Sequence, residues 1–290
     1  MFSLAKILLP VDFSERCIGA ARYAEALAKH HGSEIEMLHV IPHPYYEFTG
    51  MEAGGIALTE LYANRARQLQ AECDAFLSRE LPGLKARRVM LEGDPSRQIV
   101  KHAHDGKFDL IVMPTHGYGP FRRFILGSVT AKVLHDADCP VWTGVHMEAA
   151  PPAASIAFKT VVAGIDLGPQ SKSALAWAAQ LACNWKARLV IVHATYSLEG
   201  RSGEYFDPDW RTQLAGAARE SIAALQAEAG TKADVIVESG DAPDVVCKAA
   251  EEFKADVMVI GRGSTEGVLG RLRANAYSII RQSPCPVVSV

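Results

Sequence analysis

The chain has 290 residues, 49% hydrophobic and 22% charged, which suits a globular protein long enough for two domains with their own cores. With 30 basic and 33 acidic residues the net charge is −3, which gives no electrostatic case for a nucleic-acid partner. No run approaches the roughly 20 apolar residues of a membrane span, and the opening MFSLAKILLPVDFSE reads as a buried strand broken by Pro10 and Asp12 rather than as a secretory signal, so no membrane partner and a cytoplasmic location are expected.

In chain order, the first half offers apolar runs at 6–11, 35–41, 87–91, 109–113 and 140–145. They lack polar alternation, as parallel strands covered on both faces do. Residues 16–30 carry Ala20, Ala21, Tyr23, Ala24, Leu27 and Ala28 at helical spacing. The segment 94–104 opens with Asp94 as the N-cap and Pro95 at the first helical position. The stretch MPTHGYGPFRRFILGSVTAKVL (113–134) then leads from the fourth strand through a glycine-containing loop into a helix starting near Ser128. HMEAAPPAASIAF (146–158) is rich in Ala and Pro and reads as a linker.

Beyond the linker the chain is written a second time. AKILLPVDFSE (5–15) matches KTVVAGIDLGP (159–169), and IEMLHVI (35–41) matches LVIVHAT (189–195), pairing Asp12 with Asp166 and His39 with His193 at one offset of 154. LEGDPSRQIV matches ESGDAPDVVC, FDLIVM matches ADVMVI, and DCPVWTGV matches PCPVVSV at offsets of 147 and 146 (241 − 94, 285 − 139), so the first half holds about seven extra residues after its second strand. The expected domains are 1–146 and 157–290, joined by an Ala/Pro linker at 147–156. Strict alternation of strand and helix implies a doubly wound parallel sheet with right-handed crossovers. Ligands bind such sheets beyond the carboxyl ends of the strands, where strand order reverses. Asp12, Val40 and the loop from Pro114 lie at those ends.

Neither the six cysteines nor the ten histidines form metal-ligand spacings. There is no CxxC pair and no HExxH, so the thiols read as reduced, small hydrophobic residues and no metal ligands are expected. The loop contains no GxxxxGK[ST], and GRGSTEG (261–267) has one residue too many for a dinucleotide fingerprint. What remains is a helix start at which Gly127 permits close backbone approach. The N–H groups of Ser128, Val129 and Thr130 would point there toward an anion. The plainer alternative is a helix with Ser128 as N-cap and Val129, Val133 and Leu134 on the core face, and the pattern alone leaves both readings open. His116 reads as a satisfied loop histidine, and Arg122 and Arg123 as solvated surface. No nucleophile and base come together in this loop, so no catalytic residue and no enzyme activity are expected.

The motifs KILLPVDFSE, HVI, GDP, IVMPTHG…LGSVTAKVL and CPV resemble the universal stress protein family, in tandem form, over nearly the whole chain. The resemblance implies two five-stranded domains of the adenine nucleotide alpha hydrolase-like, Rossmann-like kind, related by a pseudo-twofold axis with their last strands side by side. It implies an ATP-binding stress-response or regulatory protein, with magnesium on the phosphates. Nucleotide-binding members carry G-x-x-G-x9-G-[ST], which Gly117, Gly127 and Ser128 match, while Pro114 stands where the first glycine would be. By that resemblance Asp12 and Val40 lie against the adenine, Met113 and Pro114 beside the ribose, and Gly117, Gly127 and Ser128 on the phosphates, to which the N–H of Val129 stays available and which His116 in the loop could also touch. Proline removes one donor, worth roughly 0.5–1.5 kcal/mol, which weakens binding without abolishing it.

In the second half Gly261 matches the first glycine, Ser264 replaces the second, and Ala274-Asn275 replace the closing Gly-Ser pair. A degenerate phosphate site is expected there, with Arg262, Arg271 and Arg273 as the groups through which an anion would have to be held instead. ATP is therefore expected in the first half only. The alternatives are an interaction module, a binder of another small molecule, and a slow ATPase. The sequence names no protein partner and leaves open whether two chains associate.

Overall fold

The structure, a computed structural model, describes residues 4–42, 55–78, 81, 83–115, 126–195, 208–262 and 271–290. The first half runs β1 (Lys6–Pro10), α1 (Arg16–His31), β2 (Glu34–Ile41), α2 (Gly55–Ala75), β3 (Ala86–Glu92), α3 (Pro95–Asp105), β4 (Leu110–Val112), α4 (Ser128–Asp136) and β5 (Val141–Thr143). The second runs β6 (Thr160–Gly164), α5 (Ser171–Trp185), β7 (Arg188–Thr195), α6 (Pro208–Ala229), β8 (Asp234–Ser239), α7 (Ala242–Glu252), β9 (Val257–Ile260), α8 (Arg271–Gln282) and β10 (Val287–Ser289). Ten residues (76–85) join α2 to β3 where four (230–233) join α6 to β8, which locates the extra length of the first half.

Local chemistry accounts for the element ends. The Asp94 side chain accepts from Arg97 N with Pro95 at the first helical position, as expected. Helix α1 stops at Gly32, whose φ of +73° lets its N–H turn back to Ala28 O.

Among the described residues ten strands form one sheet, in the order β3-β2-β1-β4-β5-β10-β9-β6-β7-β8. Each half is parallel throughout, and the halves join through the antiparallel pair β5–β10, with Trp142 opposite Val288. Exchanging the halves reverses the order onto itself, as a pseudo-twofold relation requires. The expected side-by-side final strands are present. They are also hydrogen-bonded, so neither is an exposed edge.

Alternate residues of β1 enter two cores, Ile7 and Leu9 on one side of the sheet and Leu8 on the other. The first core lies under α1, α2, α5 and α6, and the second under α3, α4, α7 and α8. The Ala/Pro stretch between the halves forms two short 3-10 turns, 145–149 and 153–155, and buries Met147, Ala150, Ala153 and Ile156. Arg22 Nη1 donates to Ala150 O (2.5 Å), fastening the stretch to α1.

Candidate functional site

Strand order in the first half reverses between β1 and β4, so the crevice beyond their carboxyl ends is the expected ligand position. Asp12 follows β1, Val40 lies one residue before the end of β2 next to it, and Met113 and Pro114 follow β4 on the other side. Val40 and Met113 are buried in the core beneath α3 and α4, so what they offer a ligand is main chain. His39 Nδ1 donates to Val11 O (2.8 Å), tying β2 to the segment leading into Asp12.

Asp12 has a structural role of its own. Its Oδ1 accepts from Ser14 N (3.0 Å) and from the Cys17 thiol (3.2 Å), shaping the turn into α1. Burial pushes the Cys17 thiol up, and the Asp12 carboxylate adds to the effect, so the sulfur stays a protonated donor. Asp166 does the same at α5, accepting from Gly168 N and Ser171 Oγ (both 2.8 Å). Phe13 and Leu167, the next residues, share a left-handed φ of 62° and 61°. Both halves thus keep a strained turn that non-glycine residues adopt only when their surroundings enforce it.

The start of α4 is joined directly to the end of β4. Gly127 N donates to Thr115 O (2.8 Å) and Thr130 Oγ1 to Pro114 O (3.0 Å). Pro114 lacks an N–H, yet its carbonyl anchors the helix. One expectation is corrected here: the N-cap is Gly127, not Ser128. Gly127 has extended backbone (φ −62°, ψ 149°), its carbonyl accepts from Ala131 N, and no side chain among the described residues caps the helix. Ser128 is the first helical residue and exposed, Val129 is half-buried, and Val133 and Leu134 reach the core. The opening amides of Ser128, Val129 and Thr130 precede the first intrahelical donor. His116, Gly117, Arg122 and Arg123 lie outside the described residues. No cluster of three or more His, Cys, Asp or Glu able to hold a metal occurs among the described residues.

In the second half the matching helix starts a turn earlier. The position equivalent to Ser128 is Asn275 (128 + 147), but α8 begins at Arg271, four residues earlier. The amides of Asn275 and Ala276 therefore lie inside the helix, where carbonyls one turn back take them. Arg262, expected as one of three arginines available to an anion, is committed elsewhere. Its Nη1 donates to Ala137 O (2.5 Å) and Leu134 O (3.5 Å), and its Nη2 to Cys139 O (2.7 Å). It thereby caps the carboxyl end of α4 from across the sheet. Tyr277 OH adds a bond to Ala131 O (3.2 Å). Burial lowers the Arg262 pKa, but a guanidinium keeps its charge, which complements the negative end of the helix. Comparing the repeats, Arg262 replaces Thr115, the one signal that could have marked it. Ser264 lies outside the described residues, as do the side chains of Arg271, Arg273 and Ala274.

The universal stress protein family model matches residues 4–143 and again 157–290. A universal stress protein of Methanocaldococcus jannaschii is 34% identical over 138 residues, covering 47% of this chain and 79% of that relative. One of Thermus aquaticus is 35% identical over 135 residues, covering 47% of this chain and 94% of its own length. The solved structure of a universal stress protein from Archaeoglobus fulgidus aligns with a TM-score of 0.67 at 25% identity, over 99% of this chain and 96% of that one.

Proposed function

This chain belongs to the universal stress protein family, and from that premise we propose that its first half binds ATP as a regulatory effector, one molecule per chain. The observation that carries the reading is the asymmetry of the two helix starts. Helix α4 begins at Gly127, beyond the end of β4 at the switch point of the sheet and with no side-chain cap among the described residues, whereas α8 begins a turn early and takes the amides of Asn275 and Ala276 into the helix. A polyphosphate suits the first arrangement, because oriented N–H groups and the helix dipole both favour an anion. The main chain at Val40 and Met113, with the Asp12 carboxylate, would hold the adenosine. Magnesium would sit on the phosphates and supply charge neutralisation. Binding would bias conformation or partner choice, with the second half as a structural companion. A reducing cytoplasm suits the six unpaired thiols.

Calorimetric titration of the full chain with Mg-ATP tests this, with cAMP as a ligand that shares the adenosine but lacks the polyphosphate. A stoichiometry of one is expected, and Gly127→Val should lower affinity at least about tenfold by obstructing the backbone approach. Since the Gly127 backbone lies where valine is allowed, the variant should keep its melting temperature. Unchanged ATP affinity in a folded Gly127→Val protein, or two equal sites, would overturn the assignment.

A further inference from the structure

The two halves also differ at the amino ends of their outer strands, the edge opposite α4's first turn. In the first half a cleft of about 570 Å³ opens there between β1–β3 and the last turn of α3, within the roughly 300–1,000 Å³ of small-molecule sites. Glu36 lies buried at its floor. Its Oε1 accepts from His102 Nε2, and its Oε2 lies 3.3 Å from Arg87 Nη1. Register places Arg87 directly beside Glu36 and Lys6 on the same face of the sheet, and Lys85, just before β3, lines the same cleft. Phe108 supplies an apolar wall.

The second half serves as an internal control. Glu34, Glu36, Arg87, His102 and Gly106 correspond to Arg188, Val190, Asp234, Ala249 and Phe253. There Arg188 grips Asp234 through Nε (3.0 Å) and Nη2 (2.5 Å), and its guanidinium carbon lies 5.0 Å from the Phe253 ring centroid. The same frame is complete with valine and alanine in the core and a plug over the end. A buried carboxylate is costly to desolvate even when paired, so the fold itself gives no reason for Glu36, His102 and an open mouth.

We propose that this cleft is a second ligand site, for a small organic anion that joins an oxyanion group to a flat apolar body. The lining carries Lys6, Lys85 and Arg87 against Glu34 and Glu36, an excess of one positive charge, with Lys6 Nζ also donating to Gly106 O (3.2 Å). The excess positive charge receives the oxyanion, Arg87 being held by Glu36 to present a fork to it. Phe108 receives the body. The site is independent of the ATP reading, since it shares no residue with the switch point.

The test is titration of the isotope-labelled full chain with benzoate, phenyl phosphate and inorganic phosphate, followed residue by residue by amide NMR. Benzoate or phenyl phosphate should shift the amides of Glu34–Glu36, Arg87 and Gly106 saturably, leaving Arg188–Val190 and Phe253 unmoved; which of the two binds more tightly identifies carboxylate or phosphate ester. Lys85→Ala with Arg87→Ala, both at exposed positions, should weaken binding at least about tenfold. Transplanting the plug, E34R, R87D, G106F and F108A together, should abolish it. Phe108→Ala is needed because a Cβ at 106 would meet that ring at 2.4 Å. The proposal fails if no probe gives saturable shifts by about 10 mM. It fails equally if the double alanine variant binds as the parent does, or if the second half responds alike.

Discussion

Thr143 illustrates how one hydroxyl can work against the fold. It sits on β5 at the seam between the halves, fully buried, and its Oγ1 has no partner among the described residues. Its counterpart Ser289 (143 + 146) is buried as deeply, but its Oγ donates to Val141 O (3.5 Å). An unsatisfied buried hydroxyl costs about 1–3 kcal/mol, and valine has nearly the shape of threonine without the demand for a bond. Thr143→Val should therefore stabilise the protein by about 1 kcal/mol, and Ser289→Ala should not. Urea unfolding reads this as a higher midpoint at unchanged slope for Thr143→Val alone. A lower midpoint would mean that the hydroxyl has found a partner.

Among the elements, α4 is the one on which both halves act. Its amino end is tied to β4 through Thr115 and Pro114, and its carboxyl end is held by Arg262 from the other half. Replacing Arg262 with alanine leaves the carbonyls of Ala137 and Cys139 without their donor in a buried place. The expected loss is roughly 2–3 kcal/mol, the worth of hydrogen bonds to a charged group in a buried setting. Arg262→Lys should recover only part of it, because an ammonium is a point charge and cannot span the carbonyls as a planar fork does. Chemical denaturation of the three proteins checks the order. If lysine restores full stability, charge at the helix end matters and the fork geometry does not.

For the whole molecule, the decisive feature is the continuity of the sheet and of the aromatic packing around its seam. Trp142 packs near Tyr23 and Phe158, and Phe158 lies edge-on to Trp185 (4.7 Å between centroids). Trp185 in turn stacks on His30 (3.8 Å) and donates through Nε1 to His31 Nε2 (3.3 Å). Accepting that bond requires a neutral imidazole. Burial first, then the neighbouring His30, lowers the His31 pKa from 6.5 to about 4. A folded value below the unfolded one means that the unfolded chain binds the proton more readily. His31's contribution is therefore complete above about pH 6.5 and is lost as pH falls through about 4. His31→Gln keeps an acceptor for Trp185 but cannot titrate. Its melting temperature should fall less than the parent's between pH 7 and pH 4, and parallel curves would remove His31 from the acid response.

The repeat, the strand and helix alternation, the Asp94–Pro95 helix start and the position of Pro114 and Gly127 beyond the end of β4 were all legible in the residues. Each depends on spacing along a few turns or on matching one half to the other. The commitment of Arg262 was not legible, because its partners lie 123 and 125 positions away and are backbone carbonyls with no residue signature. Nor was the choice of Gly127 over Ser128 as N-cap, which depends on the backbone path between Thr115 and the helix. The early start of α8 was equally hidden: the replacement of the Gly-Ser pair by Ala274-Asn275 could be read from the residues, but not that the helix itself takes up the amides of Asn275 and Ala276. Glu34 and Glu36 stand in a strand whose sequence does not say which helix end will cover it. Local pattern follows from steric and hydrophobic periodicity and is carried by the chain, whereas burial, caps and charge partners arise only when distant segments meet.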